Sequence, residues 1–509
     1  MGKHILHDDW LFINREEERN ILEEVLGNEE YHDRIFEFTA IAGQGKTELL
    51  KYLCDATRER SNCLVAYVDV YESTLGRPEI SPILSDIAES IISGTQNKKV
   101  FGKFDASVRD YNKCFSSYHV EFLKNPKTAN RQAVEEKERS LITHFKAGLN
   151  KLLSKGYKIV LCFDATEFSC CRVAMQRFEE QVLQELIVDK NLIVFFAGQQ
   201  RWRCVTRELR RQITRQPLLP FTRKYSEQFI EDFLSRKNVS VENKVHLFYK
   251  TWDLTKGHPF STYKMLDSLT AGFEDKHLSK RKVTALYPKI ITELIEKVIK
   301  NRVLYKMKLN SAYYPPPEKI LLYISPLRRI EFYPVSFILS RFLPDWFKDK
   351  PGQFVEELIA DFQKQTHVLA TKLEFGASSH LEEVTRNILL FELQINRNKE
   401  LIKILNALIK EYDVWIKQTE GDSQIKYIID RLYYKVRLMR VEDKENIVSI
   451  IADELHIDLD RYFVTNHSGS EHRIDCQFER LKEELSCDEE LKCIIDIEKL
   501  ISILNQKRN

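Results

Sequence analysis

Between residues 1 and 225, short apolar runs alternate with stretches whose apolar positions recur every three to four residues. That alternation predicts strand–helix repeats and an α/β domain on a mainly parallel sheet. Strands are predicted at Ile35–Ile41, Cys63–Tyr71, Lys158–Asp164, Leu192–Ala197 and Pro217–Phe221. Helices are predicted at Glu16–Leu26, Lys46–Thr57, Ser81–Ser93, Ala133–Ser154 and Val173–Val188. The segment Gly94–Asn130 has no clear period and reads as an excursion with short helices. From Ser226 onward helical spacing dominates, giving a helical lid and a basic connector over 226–312.

Three prolines in Tyr313-Tyr-Pro-Pro-Pro317 stiffen the backbone and mark a domain boundary. Beyond it, Glu318–Leu327, Pro334–Leu343 and Gln353–Gln365 read as amphipathic helices, Thr366–Gly376 as a hairpin and His380–Leu393 as a further helix. That order suggests a winged-helix-like domain over 313–395. Residues 396–509 read as all-helical and charged, with turns at Glu420-Gly-Asp and Asn466–Glu471. No internal repeat stands out.

The strand Ile35–Ile41 runs into Gly43-Gln44-Gly45-Lys46-Thr47-Glu48 and then a helix, which is the context of a phosphate-binding loop. Small residues let consecutive backbone N–H groups turn inward around phosphates, and the positive end of the following helix points at them. The Lys46 ammonium can reach the β- and γ-phosphates, and the Thr47 hydroxyl can join the Mg²⁺ shell. The strict pattern has a further Gly where Ala40 stands. The first 225 residues are therefore expected to form a P-loop NTPase domain that takes ATP or ADP with Mg²⁺.

Composition changes this picture little. The 509 residues have room for two to four domains, and 43% apolar with 30% charged content is that of an ordinary globular chain. A net charge of +2 argues against binding nucleic acid through overall electrostatics. The ten cysteines include no CxxC pair, so neither a zinc site nor a disulfide framework is indicated. No apolar run approaches the ~18–20 residues of a membrane span, so the expected partners exclude a membrane and the expected location is cytoplasmic.

Two more strand ends carry chemistry. Tyr157–Asp164 is an apolar strand closing on an acid, which places Asp164 beside Mg²⁺ and Thr47. A second acid directly after it would orient water, but that position is Ala165; Glu167 is either the base after a local turn or a surface acid. Slow hydrolysis, suited to a switch, is the expectation. The strand Leu192–Ala197 leads to Gln199, Gln200 and Arg201. Arg201 is the first candidate γ-phosphate sensor, the alternative being an exposed arginine at a loop start. Arg203, Arg207, Arg210 and Arg211 would share one face of a helix, for phosphates, for a neighbouring subunit's acids, or simply for solvent.

With these motifs in place the chain resembles the STAND-type P-loop ATPases, close to prokaryotic members and the archaeal ATPase group, over roughly residues 10–395. The resemblance also rests on Phe12-Ile-Asn-Arg15-Glu-Glu-Glu18, Asp164-Ala-Thr-Glu167, Thr255-Lys-Gly-His-Pro-Phe260 and the order of domains. It implies that Phe12 and Arg15 lie near the adenine and that Pro259, with His258, lies near the nucleoside. It further implies a nucleotide-gated switch that self-associates with ATP and recruits a separate effector protein, in prokaryotic defence or signalling. No effector motif is recognisable at either end, and His367, His380 and His467 have no metal-ligand spacing. The alternative is a DNA-associated AAA+-like ATPase using the winged helix and the arginine face; a third reading is a nucleotide scaffold that never hydrolyses.

Overall fold

The structure is a computed structural model that describes residues 15–508 apart from 28–32, 75–78, 96, 126–129, 167–171, 200, 203, 272–276, 305–306, 308, 310–312, 365–367, 373–377, 421 and 460–470. Phe12, Glu167, Gln200, Arg203, His367 and His467 lie outside the described residues. The chain divides into two compact units, one of residues 1–233 with 257–260, the other of residues 234–256 with 261–509.

The first unit is built on five parallel strands: β1 (Ile35–Thr39), β2 (Cys63–Asp69), β3 (Lys158–Asp164), β4 (Leu192–Gly198) and β5 (Ile213–Pro217), in the order β2-β3-β4-β1-β5. Both faces are covered, as parallel sheets require. In β3, Ile159, Leu161 and Phe163 enter one core, while Val160 and Cys162 enter the other. The second core is closed by α1 (Glu16–Gly27) and by α2 (Lys46–Arg58), whose Leu49, Leu50, Leu53 and Cys54 recur at helical spacing. After β2 come the five-residue α3 (Val70–Thr74) and α4 (Ser81–Thr95); α4 covers the first core.

In the first unit, one helix and one strand depart from expectation. The excursion after Gly94 is mostly one 23-residue helix, α5 (Gly102–Lys124), lying against α6 (Arg131–Leu153). Its buried face, Phe104, Ser107 and Tyr111, has helical spacing, but Ser107 blurs the apolar stripe and the far end is exposed all round. The fifth strand is Ile213–Pro217 rather than Pro217–Phe221. Ile213 is buried there opposite Ile35, and Arg215 reaches the buried Glu37 at 3.0 Å.

In the second unit, helices Pro317–Ile324, Phe332–Phe342 and Gly352–Lys364 precede an antiparallel pair, Leu369–Lys372 with Ser378–Leu381. The next helix is Glu383–Asn396, starting later than expected because Glu382 accepts hydrogen bonds from the N–H groups of Val384 and Thr385. Long helices Asn398–Gln418 and Asp422–Val441 come next and pack together. A buried ion cluster ties this unit: Arg328 meets Asp430 at 3.1 Å and also pairs with Asp488, while Arg386 meets Glu490 at 3.0 Å. Among the described residues no helix is long and apolar enough to cross a membrane.

Candidate nucleotide site

The loop between β1 and α2 turns on two glycines with left-handed backbones, Gly43 at φ +88° and Gly45 at φ +87°. Gly45 precedes α2, whose first turn has no side-chain cap among the described residues, so its backbone N–H groups face outward as an anion-binding end. A Cβ at Gly45 would meet no described atom within 4 Å. The Lys46 side chain arches back over the loop, donating from Nζ to the carbonyls of Ala40 at 2.8 Å and Ile41 at 3.0 Å. Ala40 thus fits the turn, accepting that ammonium on its carbonyl. Glu48 stands half-buried in the first turn of α2, 3.4 Å from Lys51.

Across the sheet edge, the Thr47 hydroxyl donates to Asp164 Oδ2 at 2.6 Å, joining residues 117 positions apart in sequence. The Tyr67 hydroxyl donates to the same oxygen at 3.0 Å, and burial together with Asp164 pushes the Tyr67 phenol up. Asp164 Oδ1 accepts from the backbone N–H of Ala165 at 2.8 Å. Ala165 sits at φ +58°, a costly conformation for a residue with a Cβ, and Thr166 then bonds the Ala197 carbonyl through both N–H and hydroxyl. Asp69 pairs in register with Asp164 on the neighbouring strand; burial raises its carboxyl, and Asp164 adds to this.

Two further segments brace the loop. Arg15 is buried and donates to the carbonyls of Gln44 at 2.9 Å and Leu219 at 3.0 Å. Burial holds its guanidinium below the usual arginine range, partly offset by Glu18. The Gly257-His258-Pro259 segment enters through Lys256 and Gly257, both left-handed, and Pro259 opens the next helix at a position where its missing N–H costs nothing. His258, 1% exposed, has Nε2 2.8 Å from the Ala42 carbonyl, and the Phe260 N–H donates to the Gly43 carbonyl at 3.2 Å. His258 therefore touches the phosphate loop itself, and Pro259 is buried beside it.

The segment after β4 emerges between the loop strand and the Asp164 strand. Gln199 is half-buried, with Oε1 lacking a hydrogen-bond partner among the described residues, whereas Arg201 is exposed. Of the expected arginine face, Arg207, Arg210 and Arg211 lie exposed on the short helix Arg207–Gln212, where Arg210 donates to the Cys204 carbonyl at 2.6 Å, and Arg203 lies outside the described residues; Arg215 belongs to β5. Sequence reasoning passed over Tyr67 and Asp69; the available signal was a strand that, like β3, ends on an acid.

The residues fit a nucleoside triphosphate with Mg²⁺. The helix end is uncapped, the Lys46 ammonium lies over the loop, and Thr47 with Asp164 forms a hydroxyl–carboxylate pair of the kind that could hold Mg²⁺. Among the described residues no group of three or more His, Cys, Asp or Glu could hold a metal. The fold, a five-stranded parallel sheet with a glycine loop between β1 and α2, is of the P-loop type and is followed by helical modules.

No family model matches the chain, and no curated protein matches it. Solved structures do. Cdc6p from Pyrobaculum aerophilum is 12% identical, with TM-score 0.36 over 77% of this chain and 96% of that one. The RuvB Holliday junction branch migration motor of Thermotoga maritima is 13% identical, with TM-score 0.33 over 73% and 93%. AMPPCP-bound DnaA from Aquifex aeolicus is 14% identical, with TM-score 0.32 over 69% and 88%.

Proposed function

We propose that this chain binds ATP and ADP with Mg²⁺ and hydrolyses ATP slowly, acting as a STAND-like switch. The observation that carries the proposal is the 2.6 Å hydrogen bond from Thr47 to Asp164, which joins the loop helix to the acid-ending strand. Lys46 would bind the β- and γ-phosphates, Thr47 and Asp164 would hold Mg²⁺, and Gly43, Gln44 and Gly45 would line the loop. Arg15 would brace the loop rather than meet the base directly. Arg201 remains the proposed γ-phosphate sensor, with Gln199 or Gln200 as lesser candidates. Pro259 and His258 would couple the nucleotide to the following helical lid.

In this reading the chain is organised as an ATPase core (1–225), a lid and connector (226–312), a winged-helix-like block (313–395) and a helical tail (396–509). ATP would favour a self-associating form and expose the tail to an effector protein. A second reading, a DNA-associated AAA+-like ATPase, is favoured by the three helices and antiparallel hairpin between Pro317 and Leu381. It is weakened by the engagement of Arg210 with the Cys204 carbonyl. Light scattering with ADP or a non-hydrolysable ATP analogue, with and without duplex DNA, separates them. Growth in mass with the analogue alone supports the switch, growth only with DNA supports the second reading, and no growth under any condition removes self-association from the account.

A further inference from the structure

The position expected to carry the water-orienting acid holds Ala165, which offers only a methyl group and whose N–H is tied to Asp164. Thr166 is fastened to the Ala197 carbonyl, on the side of β4. On the other flank of Asp164 lies β2. Parallel pairing sets Asp69 against Asp164 and Tyr67 against Cys162. Paired residues on adjacent strands project to the same face of the sheet, with backbones about 4.8 Å apart. Tyr67 verifies that face directly, since its hydroxyl reaches Asp164. Asp69 Oδ1 accepts from the N–H groups of Tyr71 at 3.1 Å and Glu72 at 3.0 Å, while Oδ2 has no donor among the described residues.

We propose that Asp69, at the end of the neighbouring strand, is the catalytic carboxylate that the residue after Asp164 fails to supply. This rests on the nucleotide-hydrolysing reading above and names the group that performs its chemical step. Asp69 Oδ2 orients the attacking water and takes its proton. The water oxygen bonds to the γ-phosphorus while the bond from that phosphorus to the bridging oxygen breaks, its electron pair leaving with ADP. The proton then passes from Asp69 to solvent. Tyr67 is a positioning residue: its hydrogen bond keeps Asp164 turned toward Thr47, which leaves Asp69 to face the water.

The test compares wild type with Asp69→Asn, whose side-chain oxygen can still cap Tyr71 and Glu72 and so preserve the local fold. A general base contributes about 10²–10⁴-fold to rate. The variant should bind a non-hydrolysable ATP analogue within about threefold of wild type, lose ~100-fold or more in turnover, and fail to retain ADP with aluminium fluoride. The last readout needs no turnover, and a merely structural role would not separate it from analogue binding. Unchanged turnover, or equal loss of analogue and aluminium fluoride complex, overturns the assignment. Wild type that binds the analogue yet never hydrolyses ATP also overturns it, whereas wild type that binds no nucleotide defeats the underlying reading instead.

Discussion

The imidazole of His258 fills the space that a side chain at position 43 would need: a Cβ on Gly43 would lie 2.6 Å from His258 Cε1. The segment that leads into the next helix is thus packed on the phosphate loop through backbone and ring alike, with His258 on the Ala42 carbonyl and Phe260 on the Gly43 carbonyl. Any movement of this segment must disturb the loop, which would give a bound nucleotide a physical lever on the backbone at Gly257–Phe260.

Gly43→Ala meets two penalties, a left-handed backbone and a clash. It should destabilise the first unit by about 2–4 kcal/mol, the sum of a conformational cost and an overpacking cost. Gly45→Ala has the same backbone cost but open space around it, so about 1–2 kcal/mol is expected. Denaturant midpoints of the two variants measure the difference, and equal losses would mean that the His258 contact is not tight.

His258→Ala leaves the Ala42 carbonyl without its imidazole partner and opens a void beside the loop. A loss of about 1–3 kcal/mol in stability is expected, together with weaker nucleotide binding. Calorimetric titration with ATP checks the second effect; unchanged affinity would separate the segment from the nucleotide.

In the proposed role, Asp164→Asn removes the negative charge that would meet Mg²⁺ but keeps an oxygen for Thr47. Binding of ATP in the presence of a chelator should be unaltered, while the increment added by Mg²⁺ disappears and turnover falls by ~100-fold or more. A full Mg²⁺ increment in this variant would move the metal elsewhere.

Arg328→Met leaves Asp488 without its guanidinium and Asp430 with Arg329 alone, a loss of about 3–5 kcal/mol in the second unit. Burial already holds the Asp430 carboxyl above its ordinary range, against the pull of Arg329 and Arg328. Between the unfolded and folded values the folded state binds more protons, so this group's contribution to stability falls as pH rises through that window. Removing Arg328 raises the folded value further and widens the window. Urea midpoints from pH 4 to 8 should therefore decline more steeply in the variant; parallel curves would contradict the linkage.

How much of the fold and site was legible in the chain depends on how local each signal is. The loop and its helix were readable because Gly43, Gly45, Lys46 and Thr47 are adjacent, and Asp164 because it ends an apolar run. The role now given to Asp69 was not readable, since it depends on which strand lies beside β3, and no local pattern encodes neighbours in a parallel sheet. The strand at Ile213–Pro217 was hidden in an arginine-rich stretch; Arg215 makes sense there only once Glu37 is known to lie across from it. The Gly-His-Pro segment was found by resemblance, but its contact with the loop belongs to tertiary structure.

The central claim is that Lys46 and its loop hold a nucleoside triphosphate. Equilibrium titration of a fluorescent ATP analogue into wild type and Lys46→Ala, each with and without Mg²⁺, tests it most directly. Wild type should bind with an affinity that Mg²⁺ improves. Loss of one charge-assisted contact worth about 1.5–3 kcal/mol should weaken the variant by roughly 10–150-fold. Equal binding by both proteins, or none by wild type, would contradict the account.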